Sequence, residues 1–316
     1  MFIQTGITVF DAIFQLFLVS LVAGILTRRG IISGVQVSAL SDTTVKFFLP
    51  CLIMAKTLAR FNPDEITYWW IMPLSGVIMV VSGLVISGIL YRFRPEKRPM
   101  MTLASMQNAL YIVLPIGQIL FKDQFDLFAL YCFLLVLGLN PVMWSLGKVM
   151  ISGRLDSGIR LKDFVTPPLT AIVASVVMVF TGISHLIPHS VLTSVDLLGQ
   201  ASVPVAVFVL GATMGAMSLR AVPALSDILK VALVKFVIIP ASAFAILYLS
   251  RIHLTMPLLC SVVMIQACAP PATNLILIVK SYGGDAQSVS AMMLIMYLLS
   301  IVAMPVWIAA WLTIAG

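Results

Sequence analysis

Gln266 to Asn274 reads QACAPPATN, and Asn108 to Gly117 reads NALYIVLPIG. In each stretch proline and amide residues interrupt a run otherwise apolar enough to be a membrane helix, and this combination decides the fold. Proline has no N–H to donate and its ring collides with the carbonyl one turn earlier, so a helix meeting Pro115 or Pro270-Pro271 is expected to open and release backbone groups. No water in the hydrocarbon can take up those groups. Opened backbone at that depth therefore survives only when buried in protein or facing a wet cavity.

Outward from these stretches, the chain is solvated by lipid. Its 316 residues are 61% hydrophobic and only 10% charged, with a mean hydropathy of +1.11, against roughly a quarter charged in a soluble domain. Apolar runs of about 20 residues follow one another, and the alternation a β-barrel needs does not recur. The expected fold class is an all-α integral membrane protein. Pro, Gly and charges punctuate ten candidate spans, near residues 7–27, 40–58, 69–91, 100–121, 126–149, 164–183, 195–217, 228–249, 256–279 and 289–312. The N-terminal stretch lacks a basic n-region and a small-residue cleavage site, so it reads as a first span and not as a signal peptide.

The cations order these spans. Connections after odd-numbered spans hold Arg28, Arg29, Arg92, Arg94, Lys97, Arg98, Lys148, Arg154, Arg160, Lys162, Arg220, Lys230 and Lys280. Those after even-numbered spans hold only Lys56, Arg60, Lys122 and Arg251, with Lys46 and Lys235 inside spans. Positive residues stay on the cytoplasmic side, so the odd connections are expected there and both termini outside. The net charge of +7 thus reports topology and does not imply nucleic acid.

The longest polar connection, residues 151–163 (ISGRLDSGIRLKD), falls at the midpoint. It separates a first five-span half, residues 1–150, from a second, residues 164–316. Five is odd, so the halves are expected to be inverted. The second span of each carries a central proline, Pro50 or Pro204, and the fourth carries Pro115 or Pro270-Pro271. Paired breaks in inverted halves point to a binding site near the bilayer midplane.

Half-helix N-termini at such breaks favour anions, and freed carbonyls face cations or water. The flanking side chains are neutral amides and hydroxyls: Gln107 and Asn108, then Gln266, Thr273 and Asn274. Amides can donate to carboxylate oxygens without the cost of a buried charge. The competing role for each is interhelical glue, worth about 0.6 kcal/mol on average. Lys46, one turn before Pro50, either snorkels to the interface, meets an anionic substrate, or pairs with Asp42 in an empty site. Gln200 stands four residues before Pro204, in the equivalent place. Lys235 reads as locally paired or interfacial, with a proton-responsive or charge-balancing role as the alternative. Asp285, after Gly283 and Gly284, reads as a helix cap, and Gly211 with Gly215 as a close-packing GxxxG face.

Other chemistries lack their signatures. No HExxH, GxSxG or GxxxxGK[ST] occurs, so zinc proteolysis, the nucleophile elbow and ATP hydrolysis are not expected. The YGGD run offers no aspartyl protease pair, since two aspartates must share a proton there and no other aspartate is centred in a candidate partner span. Cys51, Cys132, Cys260 and Cys268 fall in apolar runs as small hydrophobes, so neither metal nor disulfides are expected. His185, His189 and His253 read as solvated loop residues, and no cofactor is implied.

With these residues assembled, NALYIVLPIG and PPATNLILIVKSYGGD, together with FFLPCLIM and VPVAVFVLGATM, resemble the auxin efflux carrier family of bacterial carriers and plant PIN proteins over essentially the whole chain. The resemblance implies ten spans as two inverted five-helix repeats with crossed fourth and ninth spans, a sodium/proton antiporter-like or bile acid symporter-like fold. It also implies a bacterial inner-membrane location, organic mono- or dicarboxylates such as auxin or malonate as substrates, and Asn108 and Asn274 as substrate-facing. The family's NxGxxGLP pattern departs here at Leu110 and Val113, whose bulk bears on substrate size and close helix approach, and Lys46 is atypical at its place, which points to a substrate of greater negative charge such as a dicarboxylate. Two functions are carried forward. One is a carrier of small organic anions working by alternating access, with proton or membrane-potential coupling and a homodimer both allowed. The other is a non-transporting ligand sensor or scaffold.

Overall fold

A computed structural model describes residues 2–152, 165–217, 221–281 and 285–315. The midpoint connection, the Gly283-Gly284 turn and Arg220 lie largely or wholly outside the described residues. The helices in chain order are α1 (Phe2–Arg28), α2 (Gly34–Arg60), α3 (Ile71–Leu90), α4 (Arg98–Ser105), α5 (Val113–Leu120), α6 (Lys122–Ile151), α7 (Pro167–Phe180), α8 (His189–Ala216), α9 (Leu225–Leu249), α10 (Pro257–Ala267), α11 (Leu275–Ser281) and α12 (Ala286–Ile314).

Seven of these, α1, α2, α3, α6, α8, α9 and α12, are long and apolar enough to cross a membrane. The expected fourth and ninth spans are each split in two, as α4 with α5 and α10 with α11. The expected sixth is the 14-residue α7, about 21 Å long at 1.5 Å per residue, against a hydrocarbon thickness of ~30 Å.

The expected breaks at Pro50 and Pro204 do not open the chain. Before Pro50 the helix widens into a π-turn, Thr44–Phe48, in which the Leu49 amide reaches back to the Thr44 carbonyl. A π-turn shifts the ladder by one residue, and Pro50 then sits in the first turn of the segment that follows, where a missing N–H costs least. Val234–Ile238 repeats the device ahead of Pro240. At Pro204 the helix has only a single-residue turn at Ala201.

Small residues bring the helices close. Gly211 and Gly215 of α8 lie against the backbone of Ser20 and Gly24 of α1, leaving no room for a β-carbon, as the GxxxG reading expects. Gly199 packs on Cys51 and Leu52 of α2, and Gly138 of α6 on Pro73 of α3. Two sets of helices result: α1, α2, α7 and α8 pack together, while α3, α6, α9 and α12 pack with the two split helices. The sets meet where α1 runs along α12 and where α2 and α7 lie on α6.

Ion pairs pin both ends. Lys56 is buried and bridges Asp126 Oδ1 at 2.9 Å and Asp196 Oδ1 at 2.8 Å, so a lysine read as a loop residue ties α2 to both α6 and α8. At the other end, Lys97 Nζ lies 2.7 Å from Asp227 Oδ2 and Tyr91 donates to the Asp227 carbonyl at 3.2 Å. Burial, with Asp227 beside it, pushes the Tyr91 phenol well above its ordinary range. His253 corrects the expectation of a solvated imidazole. It is buried, stacked on Tyr248 at 5.3 Å and edge-on to Trp311, with Nδ1 3.2 Å from the Leu247 carbonyl. Burial is tolerated there because the ring packs in an aromatic cluster and its Nδ1 has a carbonyl partner in place of water. Asp285 caps α12 as expected, its Oδ1 accepting from the Gln287 and Ser288 amides.

Candidate functional site

The two interrupted helices cross at their openings. The chain leaves the helix at Met106 and re-enters at Val113. In the other split helix it leaves at Cys268 and re-enters at Leu275. The openings run antiparallel and pair as a two-bond ladder: Asn108 N–H donates to the Pro270 carbonyl at 2.8 Å, and Ala272 N–H to the Met106 carbonyl at 3.1 Å. Two of the N–H groups freed by unwinding are thereby satisfied by the opposite helix, as a low-dielectric setting favours.

Pro115 is not itself the point of opening. It lies in the first turn of α5, and the unwound residues precede it. A proline at the start of a helix forbids that helix from extending backwards with regular bonds, so its effect falls on residues 109–112. Pro270 and Pro271 stand inside their opening and supply carbonyls to the crossing.

Three side chains lock the geometry. Asn108 uses both ends: Oδ1 accepts from Tyr111 N–H at 2.9 Å, and Nδ2 donates to the Tyr297 hydroxyl at 2.7 Å. That hydroxyl donates onward to the Pro271 carbonyl at 2.9 Å, so Tyr297 of α12 touches both openings. Gln266, fully buried, donates from Nε2 to the Ala109 carbonyl at 2.8 Å. Asn108 and Gln266 thus act as glue across the crossing in this state.

A cavity of about 80 Å³ lies against the crossing, lined among others by Asn108, Leu110, Tyr111, Asn140, Thr273 and Asn274. One water needs roughly 10–15 Å³ of such space, so it holds a few waters or one small molecule. Val45 and Leu49 of α2, Met143 of α6 and Pro168 of α7 form its wall. No Asp, Glu, Lys or Arg is among the lining residues. Ala109, Leu110, Thr273 and Asn274 line it, and their backbone N–H groups have no protein acceptor among the described residues. Asn274 is exposed, and its side chain has no partner among the described residues. The arrangement presents donors to whatever enters and offers it no anionic side chain.

Of the residues expected at the site, Asn108, Thr273 and Asn274 line this cavity, whereas Pro270, Pro271 and Gln266 sit in the crossing behind it, bonded across the two openings, and do not line it. Lys46 does not line it: its Nζ pairs with Asp42 Oδ2 at 2.8 Å, with both side chains more than 60% exposed. Gln200 lies elsewhere, exposed, donating to Asp196 Oδ2 at 2.9 Å. Tyr111, Asn140 and Tyr297 were missed. A polar residue in an apolar run, as in LGLNPV or MMLIMYLLS, was the signal available for the last two.

A family model described as "Membrane transport protein" matches residues 8–158 and, a second time, residues 154–308. No curated protein matches the chain.

Proposed function

Because the chain belongs to this membrane transport protein family, the auxin efflux carriers, we propose that it carries small organic anions across the membrane by alternating access around the crossing. The proposal includes ten membrane passages, in which α4 with α5 and α10 with α11 each count as one, arranged as two inverted halves. The twofold family match is consistent with that repeat. The observation that carries the reading is the cavity beside the crossing, with backbone donors and no acidic side chain on its wall. A carboxylate would satisfy those donors, and no acidic side chain lines the wall to repel it.

In the proposed cycle α1, α2, α7 and α8 stay together while the other set moves against them. With odd connections cytoplasmic, Val45, Met143 and Pro168 of the cavity wall belong to cytoplasmic helix halves, so this state faces inward. The Lys56–Asp126 pair then closes the outer end. Thr273, Asn274 and the free amides contact substrate, whereas Asn108 positions them through Tyr111 and Tyr297.

Uptake of labelled mono- and dicarboxylates into proteoliposomes tests the proposal. Saturable flux with counterflow is expected, with Asn274→Ala raising KM by about tenfold, the loss of one hydrogen bond to a charged group at ~1.5 kcal/mol. Asn108→Ala is expected to lower the maximal rate as well. Ligand binding without flux under any gradient would instead select the sensor reading and refute this one.

A further inference from the structure

A second, larger cavity lies away from the crossing, in the seam where α1 and α8 meet α12. It encloses about 310 Å³. Its walls are Phe14, Leu18, Leu21 and Ile25 of α1 and Leu294, Leu298 and Ile301 of α12, with Gly211, Met214 and Gly215 of α8 at its base. Arg28 stands at one end. Leu18, Leu21, Ile25 and Leu298 are all more than 40% exposed, so the groove opens towards lipid.

Its length selects an occupant. From Phe14 to Arg28 the α1 wall rises about 21 Å at 1.5 Å per residue. Half of a ~30 Å hydrocarbon core is ~15 Å, so the groove runs from headgroup level at Arg28 to just beyond the midplane. That is the reach of one leaflet. A transmembrane helix from a second copy would need a groove of ~30 Å, about half as long again. The Arg28 guanidinium has no hydrogen bond or ion pair among the described residues, and Arg29 follows it in the chain. No Asp or Glu lines the groove, so a twofold partner would bring no carboxylate from this surface to meet that charge.

We propose that this groove is a binding site for one anionic phospholipid, with an acyl chain between α1 and α12 and its phosphate on Arg28. The base owes its depth to Gly24, Gly211 and Gly215, where helix backbones approach without side chains. Since α1 and α12 belong to different packing sets, the lipid fills part of the seam between them.

The test uses the full chain in nanodiscs made from phosphatidylglycerol, phosphatidylcholine or equal mixtures, with tightly retained lipid counted by native mass spectrometry. The wild type is expected to retain phosphatidylglycerol about fivefold over phosphatidylcholine, the preference a single near-surface arginine gives. Arg28→Gln is expected to abolish the preference while still retaining a lipid. Leu298→Trp, which fills the groove from an exposed position, is expected to lose the retained lipid of either kind. A circular dichroism melt matching wild type establishes that this variant is folded. Equal retention of both lipids by wild type, or an unchanged preference in Arg28→Gln, would overturn the proposal. Efficient disulfide dimers through Leu298→Cys in a bilayer would also overturn it, by placing a second copy in the groove.

Discussion

Replacing Tyr297 by Phe removes one oxygen and should weaken the crossing more than its size suggests. The hydroxyl accepts from Asn108 Nδ2 at 2.7 Å and donates to the Pro271 carbonyl at 2.9 Å, from a side chain with no solvent exposure. Hydrogen bonds between membrane helices average about 0.6 kcal/mol, which would put the pair at ~1.2 kcal/mol. Leaving a buried group without any partner costs more, ~1–3 kcal/mol. The two partners differ in this respect. Asn108 borders the cavity and can turn to water, whereas Pro271 is buried and does not line it. The expected cost is therefore ~0.6 kcal/mol on the Asn108 side plus the larger penalty at Pro271, about 2 kcal/mol together. That corresponds to a fall of roughly 4 °C in the apparent midpoint. Thermal unfolding in detergent by near-ultraviolet circular dichroism measures it. Tyr248→Phe is the control, since that hydroxyl forms no hydrogen bond among the described residues. If both variants melt alike, Tyr297 does not hold the openings together and the reasoning from this network fails.

Asp126→Asn keeps the shape of the residue but removes its charge opposite Lys56. Because Asp126 is about a third exposed, the pair is worth ~1 kcal/mol at most, and outward-facing populations should rise about fivefold, read by labelling of cysteines placed on the α2–α6 seam. Unchanged labelling would remove this pair as the outer closure. Gly211→Leu should cost at least ~3 kcal/mol, because its side chain would meet the Ser20 backbone, whereas Gly34→Ala, with open space around it, should melt like wild type. Asp285→Ala should cost ~1 kcal/mol through loss of the α12 cap, visible as a lower midpoint and as faster amide exchange at Gln287 and Ser288.

What was legible in the sequence was whatever acts along the chain. Pro115 and Pro270-Pro271 announced openings because a missing N–H and a clashing ring are local facts, and Asp285 announced a cap for the same reason. Proline alone did not settle the outcome. Pro50 sits in a helix that absorbs it with one π-turn, while the helix ahead of Pro115 opens over several residues. The difference lies in what waits alongside. Residues 106–112 find carbonyls and amides on the antiparallel opening, and the segment before Pro50 has no such partner strand. Lys56 was misread as a loop cation for a related reason. Its two carboxylates come from positions 126 and 196, and only tertiary packing brings them within 3 Å.

The amides show where sequence reasoning stops and geometry begins. Asn108, Gln266 and Asn274 look equivalent in sequence, each a neutral polar group beside a proline break. Folded, Asn108 has both ends engaged and Gln266 donates to Ala109, while the Asn274 side chain stands exposed at the cavity wall with no partner among the described residues. An amide already committed to protein must surrender a bond to greet a substrate, so it gains little by doing so. An uncommitted one surrenders only water. The exchange argument assigns recognition to Asn274 and rigidity to Asn108 and Gln266, and it explains why the two sets of variants should separate, the first in KM and the second in rate and stability.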